Sequence, residues 1–144
     1  MTDFSYLNVD NAYKLINQKV TKTPLVTNDY INNLLEAEIY FKLENLQNTG
    51  SFKLRGATHK ITKLIETVKD SGVVAYSSGN HAQAVASACY LTNRKATIIM
   101  PEDSPVAKFN GTKSWGAYIV TYNRYKESRE EIGKELARKL NAVI

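Results

Sequence analysis

The chain has 144 residues, 43% of them hydrophobic, which is enough for one compact domain with a core, and it carries no low-complexity tail. Its 19 Lys and Arg against 14 Asp and Glu give a net charge of +5 spread along the sequence, with no like-charge block that would make a nucleic-acid-binding arm. The lone cysteine, Cys89, excludes an internal disulfide, Asp3 falls where a signal peptide needs a basic and then an apolar stretch, and no apolar run approaches the ~18 residues of a membrane span, so a soluble cytoplasmic protein is expected.

The first predicted element is a helix over Asn8 to Val20, where Val9, Ala12, Tyr13, Leu15, Ile16 and Val20 recur at helical spacing behind Asn8 and Asp10 as capping candidates. Thr23-Pro24-Leu25-Val26 breaks it, since proline disfavours helix at the residue before it, and a short helix around Asn28 to Leu35 follows. Strand and helix then alternate. Ile39 to Leu43 reads as strand, Phe52 to Ile65 as helix with Ala57, Ile61, Leu64 and Ile65 on one face, and Gly72 to Tyr76 as strand. Ala82 to Tyr90 reads as helix, Ala96 to Met100 as buried strand, Ser104 to Trp115 as helix with Pro105 in its first turn, and Ala117 to Thr121 as strand. A charged amphipathic helix over Tyr125 to Leu140 closes the series. This alternation predicts an open α/β fold: a parallel sheet with flanking helices, joined by right-handed crossovers.

Ligands in such folds bind beyond the carboxyl ends of the strands, so the informative loops are Glu44 to Phe52, Ser77 to Gln83 and Met100 to Ser104. Ser77-Ser78-Gly79-Asn80-His81 sets two hydroxyls, a glycine, an amide and an imidazole at a helix mouth, a donor set suited to a carboxylate or phosphate. The same residues also suit a capping loop, with Ser77 or Ser78 as N-cap and Gly79 easing the turn. Lys53 stands in the first turn of its helix, near Arg55 and Lys60, where the dipole makes an ammonium group uncomfortable and a nucleophilic amine useful. Such lysines form Schiff bases with carbonyl compounds, and the alternative is a solvated lysine on an exposed face.

Phe41 to Ala57, FKLENLQNTGSFKLRGA, resembles the pyridoxal-phosphate lysine motif of the fold-type II enzymes, specifically the threonine dehydratase and serine racemase group. Ser77 to Gln83, SSGNHAQ, resembles that family's second motif, and Met100 to Lys108, MPEDSPVAK, resembles its third landmark. Thr23-Pro24-Leu25 also falls where the family places it, so the resemblance spans essentially the whole chain. It implies the small domain of the tryptophan-synthase-β-like fold and pyridoxal 5'-phosphate as cofactor. Lys53 is then the residue that links to the cofactor and moves the substrate's α-proton, Phe52 packs by the cofactor ring, and Asn80 donates to its phenolic oxygen. Ser77, Asn80 and His81 hold the substrate carboxylate. Ser78 occupies a position that is typically alanine in threonine dehydratases but serine in serine racemases, where its hydroxyl is the acid-base group on the opposite cofactor face. The run Tyr122 to Glu130 also resembles that branch. The implied reaction is elimination from threonine, serine or 3-hydroxyaspartate to a 2-oxo acid and ammonia, with racemisation competing wherever Ser78 reprotonates.

Fold-type II enzymes are more than twice this length, and nothing here matches their glycine-rich phosphate loop or the residue that faces the pyridine nitrogen. The expectation is therefore an N-terminal piece, with residues 1 to about 45 packing on a large domain and about 46 to 144 forming the small one. That piece would bind cofactor weakly and turn over little, Phe4, Tyr6 and Leu7 would be exposed and favour association, and the full-length protein would be a homodimer. The alternative from another class is a non-catalytic truncated paralogue that binds an amino acid or a partner. No P-loop, GxGxxG or metal-ligand spacing is present, Cys89 falls on the apolar side of its helix, and His59 has no visible partner.

Overall fold

The strand β4 (Ala96–Pro101) is buried along its whole length, with Ile98, Ile99 and Met100 fully enclosed, and the other elements pack round it. In the computed structural model, which describes residues 5–68 and 71–144, β4 is the centre of a parallel three-stranded sheet. Its neighbours are β3 (Val73–Tyr76) and β5 (Tyr118–Tyr122), in registers that set Ala75 beside Ile98 and Ile98 beside Ile119. The helices α4 (Asn80–Leu91) and α5 (Val106–Ser114) make the two crossovers.

Side chains alternate across a strand, and the sheet has apolar residues on both faces to match. On one face Val73, Ile98 and Met100 join Ala82, Val85, Ala86 and Cys89 of α4 and Ala57 and Ile61 of α3 (Lys53–Thr67). On the other, Val74, Ile99 and Tyr122 pack against Ile132, Leu136 and Ala137 of α6 (Arg129–Lys139). Every residue of α4 from Ala84 to Cys89 is buried, and its alanines leave little bulk between α3 and the sheet. Burial pushes the Cys89 thiol up to about 12, against a smaller opposing pull from Arg94, so this sulfur is a packing group.

The N-terminal part is attached differently. Helix α1 (Tyr6–Ile16) reaches α3 through Ile16, which with Val20 and fully buried Leu54 forms a separate apolar cluster. Next come β1 (Leu25–Val26), α2 (Asp29–Leu35, capped by the Asn28 side chain) and β2 (Phe41–Lys42). β1 and β2 form an antiparallel ribbon, Leu25 against Lys42 and Val26 against Phe41. The strand expected over Ile39 to Leu43 is therefore two residues long and outside the parallel sheet, and its residues Phe41 and Lys42 are exposed.

Other boundaries also move. The first helix starts at Tyr6 and stops at Ile16, so Asn8 and Asp10 lie inside it and do not cap it; Asp10 pairs with Lys14 at 2.6 Å. Asn17 to Lys19 form a turn that still delivers Val20 to the core, which satisfies the apolar spacing without a helix. The last helix begins at Arg129, because the Ser128 side chain caps it by accepting from the Glu131 N–H. Tyr125 instead sits in a turn, its N–H donated to Asn123 Oδ1 at 3.1 Å. Val143 forms an isolated parallel bridge with Val73 at the far edge of β3. Tyr6 and Leu7 are exposed, whereas Phe4 and the Ile65 side chain lie outside the described residues. No helix among the described residues is long and apolar enough to cross a membrane.

Leu54 fastens α1 to the first turn of α3. Leu54→Ala is expected to lower stability by about 3 kcal/mol through lost burial and a residual cavity, read as a lower urea midpoint.

Candidate active site

The chain enters α3 through a braced loop. Glu44 Oε1 accepts from Thr23 Oγ1 at 2.6 Å and Arg55 Nη2 at 2.7 Å, while Glu44 Oε2 accepts from Arg55 Nε at 2.9 Å, a bidentate ion pair. Arg55 Nη2 also donates to the Thr21 carbonyl at 3.1 Å, and Lys42 Nζ donates to the Thr23 carbonyl at 2.7 Å. Gln47 holds both sides of Thr21: its Oε1 accepts from the Thr21 N–H at 2.8 Å and its Nε2 donates to the Thr21 carbonyl at 3.0 Å. Gly50 then turns the chain with φ +70°, a left-handed backbone that suits glycine, and its N–H donates to the Gln47 carbonyl at 2.7 Å. The hydroxyls of Thr49 and Ser51 are buried in this loop with no protein partner among the described residues.

Phe52 and Lys53 emerge from that loop at the head of α3. Phe52 is 60% exposed, and the Lys53 ammonium lies 5.1 Å from its ring centroid. Arg55 is not the free positive neighbour of Lys53 that the sequence suggests, because Glu44 balances its charge.

The second loop leaves the carboxyl end of β3. The Ser77 N–H continues the ladder to the Ile99 carbonyl at 3.0 Å, and Ser77 Oγ accepts from the Gly79 N–H at 3.3 Å. Neither serine is the N-cap of α4; Gly79 is, with no side chain capping the helix. A Cβ on Gly79 would meet nothing within 4 Å, so the glycine leaves open space above the helix mouth. The Ser78 hydroxyl has no hydrogen bond among the described residues. Asn80 Oδ1 accepts from Lys108 Nζ at 2.5 Å, leaving its amide NH₂ unspent, and Lys108 also approaches Gln83 Oε1 at 3.4 Å.

The head of α3 lies close enough to the Ser77 to His81 loop for the Lys53 charge to act on His81. Partial burial first, and the positive charge of Lys53 second, hold His81 below the ordinary histidine range. The imidazole is accordingly neutral at pH 7 and offers one N–H donor and one acceptor nitrogen. No hydrogen bond joins Lys53 to Ser77, Ser78 or Asn80 among the described residues; α3 and α4 are held together by their apolar faces, Ala57 and Ile61 with Ala82 and Val85. A cavity of about 760 Å³ lies at the opposite end of the sheet beside Val73, Lys95 and Thr97 and includes none of these groups.

Residues 16–144 match the protein family described as pyridoxal-phosphate dependent enzymes. The chain belongs to this family. It is 49% identical over 133 residues to the L-threo-3-hydroxyaspartate ammonia-lyase of Saccharomyces cerevisiae, covering 92% of this chain and 41% of that protein. It is 41% identical over 140 residues to the serine racemase of Schizosaccharomyces pombe, covering 97% of this chain and 43% of that protein. Among solved structures, a pyridoxal 5'-phosphate-dependent aspartate racemase superposes with a TM-score of 0.89 at 32% identity, over 99% of this chain and 45% of that one. The chain thus spans about two-fifths of the length of the curated relatives it matches.

The donor set fits pyridoxal phosphate at its reactive end. A primary amine stands beside an aromatic ring, an amide NH₂ is free to donate, and the bare hydroxyls of Ser78, Thr49 and Ser51 add unspent polar groups. Two residues of the site escaped sequence reading. Lys108 was visible only as the end of the third landmark, and Glu44 only as part of the lysine motif, because their partners lie 28 and 11 residues away.

The Arg55 and Glu44 side chains are only 25% and 16% exposed, so Arg55→Met strands a carboxylate and is expected to cost about 2 kcal/mol, checked by denaturant unfolding at pH 7. Chiefly through its hydrogen bond from Arg55, partly offset by burial, the Glu44 pKa lies below the ordinary glutamate value. Its contribution is therefore complete above about pH 4.3 and lost as pH falls through the lowered folded-state value. His81 is lowered as well, so stability declines as pH drops through about 6.5, where the unfolded chain takes up the proton more readily. His81→Gln is expected to flatten that decline, leaving the part owed to His59, which burial and then Lys63 also lower.

Proposed function

We propose that the protein is a pyridoxal-phosphate-dependent lyase that converts a β-hydroxy amino acid, threonine, serine or 3-hydroxyaspartate, to a 2-oxo acid and ammonia, with a serine racemase activity beside it. What supports this reading is the pair of helix heads, α3 with Lys53 exposed beside Phe52 and α4 with its loop of hydroxyls, an amide and an imidazole that feels the Lys53 charge. The ammonia-lyase and racemase named among the relatives support the same substrate class.

In this reading Lys53 would supply the amine that holds the cofactor and the base that takes the substrate's α-proton. The bound cofactor supplies an electron sink for the charge left at Cα. Asn80 would direct its NH₂ at the phenolic oxygen, and Phe52 would flank the ring. Ser77, Asn80 and His81, with the uncapped N–H groups at the head of α4, receive the substrate carboxylate. Because His81 is neutral it binds that carboxylate by an N–H bond, with the positive charge coming from the helix mouth. Ser78, whose hydroxyl is committed to nothing else, delivers a proton to the face opposite Lys53, and this step separates racemisation from simple elimination. The exposed Tyr30, Leu34 and Leu35 fall in the segment expected to pack on a large domain and support such a covering there; the full-length protein is read as a homodimer on the resemblance alone.

In the full-length gene product, Lys53→Ala is expected to abolish the absorbance of lysine-linked cofactor and to reduce elimination by on the order of 10²–10⁴-fold or more. Persistence of that absorbance would exclude Lys53. Ser78→Ala is expected to remove racemisation while elimination continues, measured as D-serine against 2-oxo acid formed from L-serine.

A further inference from the structure

We propose that Lys108 is a positioning residue: from α5 it fixes which way the Asn80 amide points, and Gly111 gives it the room to do so. This rests on the assignment of Asn80 to the cofactor's phenolic oxygen.

An asparagine amide is nearly symmetrical in shape and opposite in chemistry at its two ends, so a binding role requires that its orientation be decided. A lysine ammonium has donors and no acceptor, and therefore holds the amide by its oxygen. Lys108 Nζ lies 2.5 Å from Asn80 Oδ1, which holds the oxygen toward α5 and leaves both donors of the NH₂ end to meet a ligand. The ligand atom so selected is an acceptor, as a phenolate oxygen is. Freed from Lys108, the amide could turn its oxygen to the same place and repel that atom.

The ammonium is itself held from a second side. Gln83 Oε1 lies 3.4 Å from Lys108 Nζ, one turn along α4 from Asn80. Lys108 and Gly111 are three residues apart on α5 and so share the face turned to α4. A Cβ on Gly111 would fall 1.8 Å from Gln83 Nε2 and 3.0 Å from Gln83 Cδ. The Gln83 amide thus occupies the space that a side chain at position 111 would take. Thr112, fully buried on the next position, anchors this turn by donating its hydroxyl to the Lys108 carbonyl at 2.8 Å. The arrangement links α5 to the cofactor-facing end of α4 through one cation and two amides, of which Asn80 alone meets the cofactor.

The test is titration of the cofactor-free, full-length gene product with pyridoxal phosphate, recording the dissociation constant, the absorbance maximum of the bound form and, separately, the melting temperature of the cofactor-free protein. Lys108→Met is expected to raise the dissociation constant about tenfold and move the absorbance maximum, with the cofactor-free melting temperature within about 2 °C of the parent. Lys108→Arg, which keeps a donor, is expected to restore most of both. Gly111→Ala, which displaces Gln83 without touching a charge, is expected to give a rise of about threefold. Parent-like affinity and absorbance in Lys108→Met would overturn the proposal, and so would a loss of affinity that follows a fall in melting temperature and is not repaired by arginine. Lys53→Ala run alongside separates the two readings: lysine-linked cofactor persisting there sinks the lyase assignment, whereas its disappearance together with unchanged binding in Lys108→Met sinks only the role of Lys108.

Discussion

Arg55 lies two residues beyond Lys53 on α3, and its guanidinium is forked onto Glu44 at 2.7 and 2.9 Å. That pair closes the loop that presents the lysine, because Glu44 also takes the Thr23 hydroxyl and Arg55 also takes the Thr21 carbonyl. Two segments whose only shared regular structure is the two-residue β1–β2 ribbon, the stretch around Pro24 and the stretch before Lys53, are thereby held as one body. The cost of removing two charges from water is met by geometry: both carboxylate oxygens are occupied, and the bidentate fork uses the planar group of arginine in a way a lysine could not reproduce. A flexible side chain such as Lys53 acquires a defined starting point only because its backbone is tied down on both sides, by this pair before it and by buried Leu54 after it.

The parallel sheet supplies the rest of the frame. With β4 sealed on both faces, the carboxyl ends of β3 and β4 are fixed relative to each other, and the loops that leave them open at the same end of the domain. One of those loops begins α4 at Gly79 and the other begins α5 beyond Pro105, so Asn80 and Lys108 are each in the first turn of a helix and reach one another directly. The site is therefore assembled from helix starts held by strands, an economical way to place polar side chains at defined separations on an apolar core.

The sheet-forming part from Gly72 onward was legible because buried parallel strands are short apolar runs and their connecting helices have a period that differs from them. Val73–Tyr76, Ala96–Pro101 and Tyr118–Tyr122 fall within a residue or so of the expected segments. Legibility failed where local pattern and tertiary role part company. Ile39 to Leu43 has strand composition but pairs with an exposed ribbon, and Val20 keeps helical spacing from a turn. Of the site, the lysine and serine-asparagine motifs stood out because unusual residues are adjacent in sequence. The Lys108 to Asn80 bond and the Glu44 to Arg55 pair did not, since nothing in the spacing of a lysine on one helix says which amide on another it will meet.

Cys89 sits in the last turn of α4, walled in by α3 and the sheet, with its proton held tightly. As the sole thiol of the sequence, it turns the core into a clock. An alkylating reagent in solution reaches the sulfur only when this helix lifts away, so the rate of labelling reads out how often the interior is breached without any probe having to be engineered in.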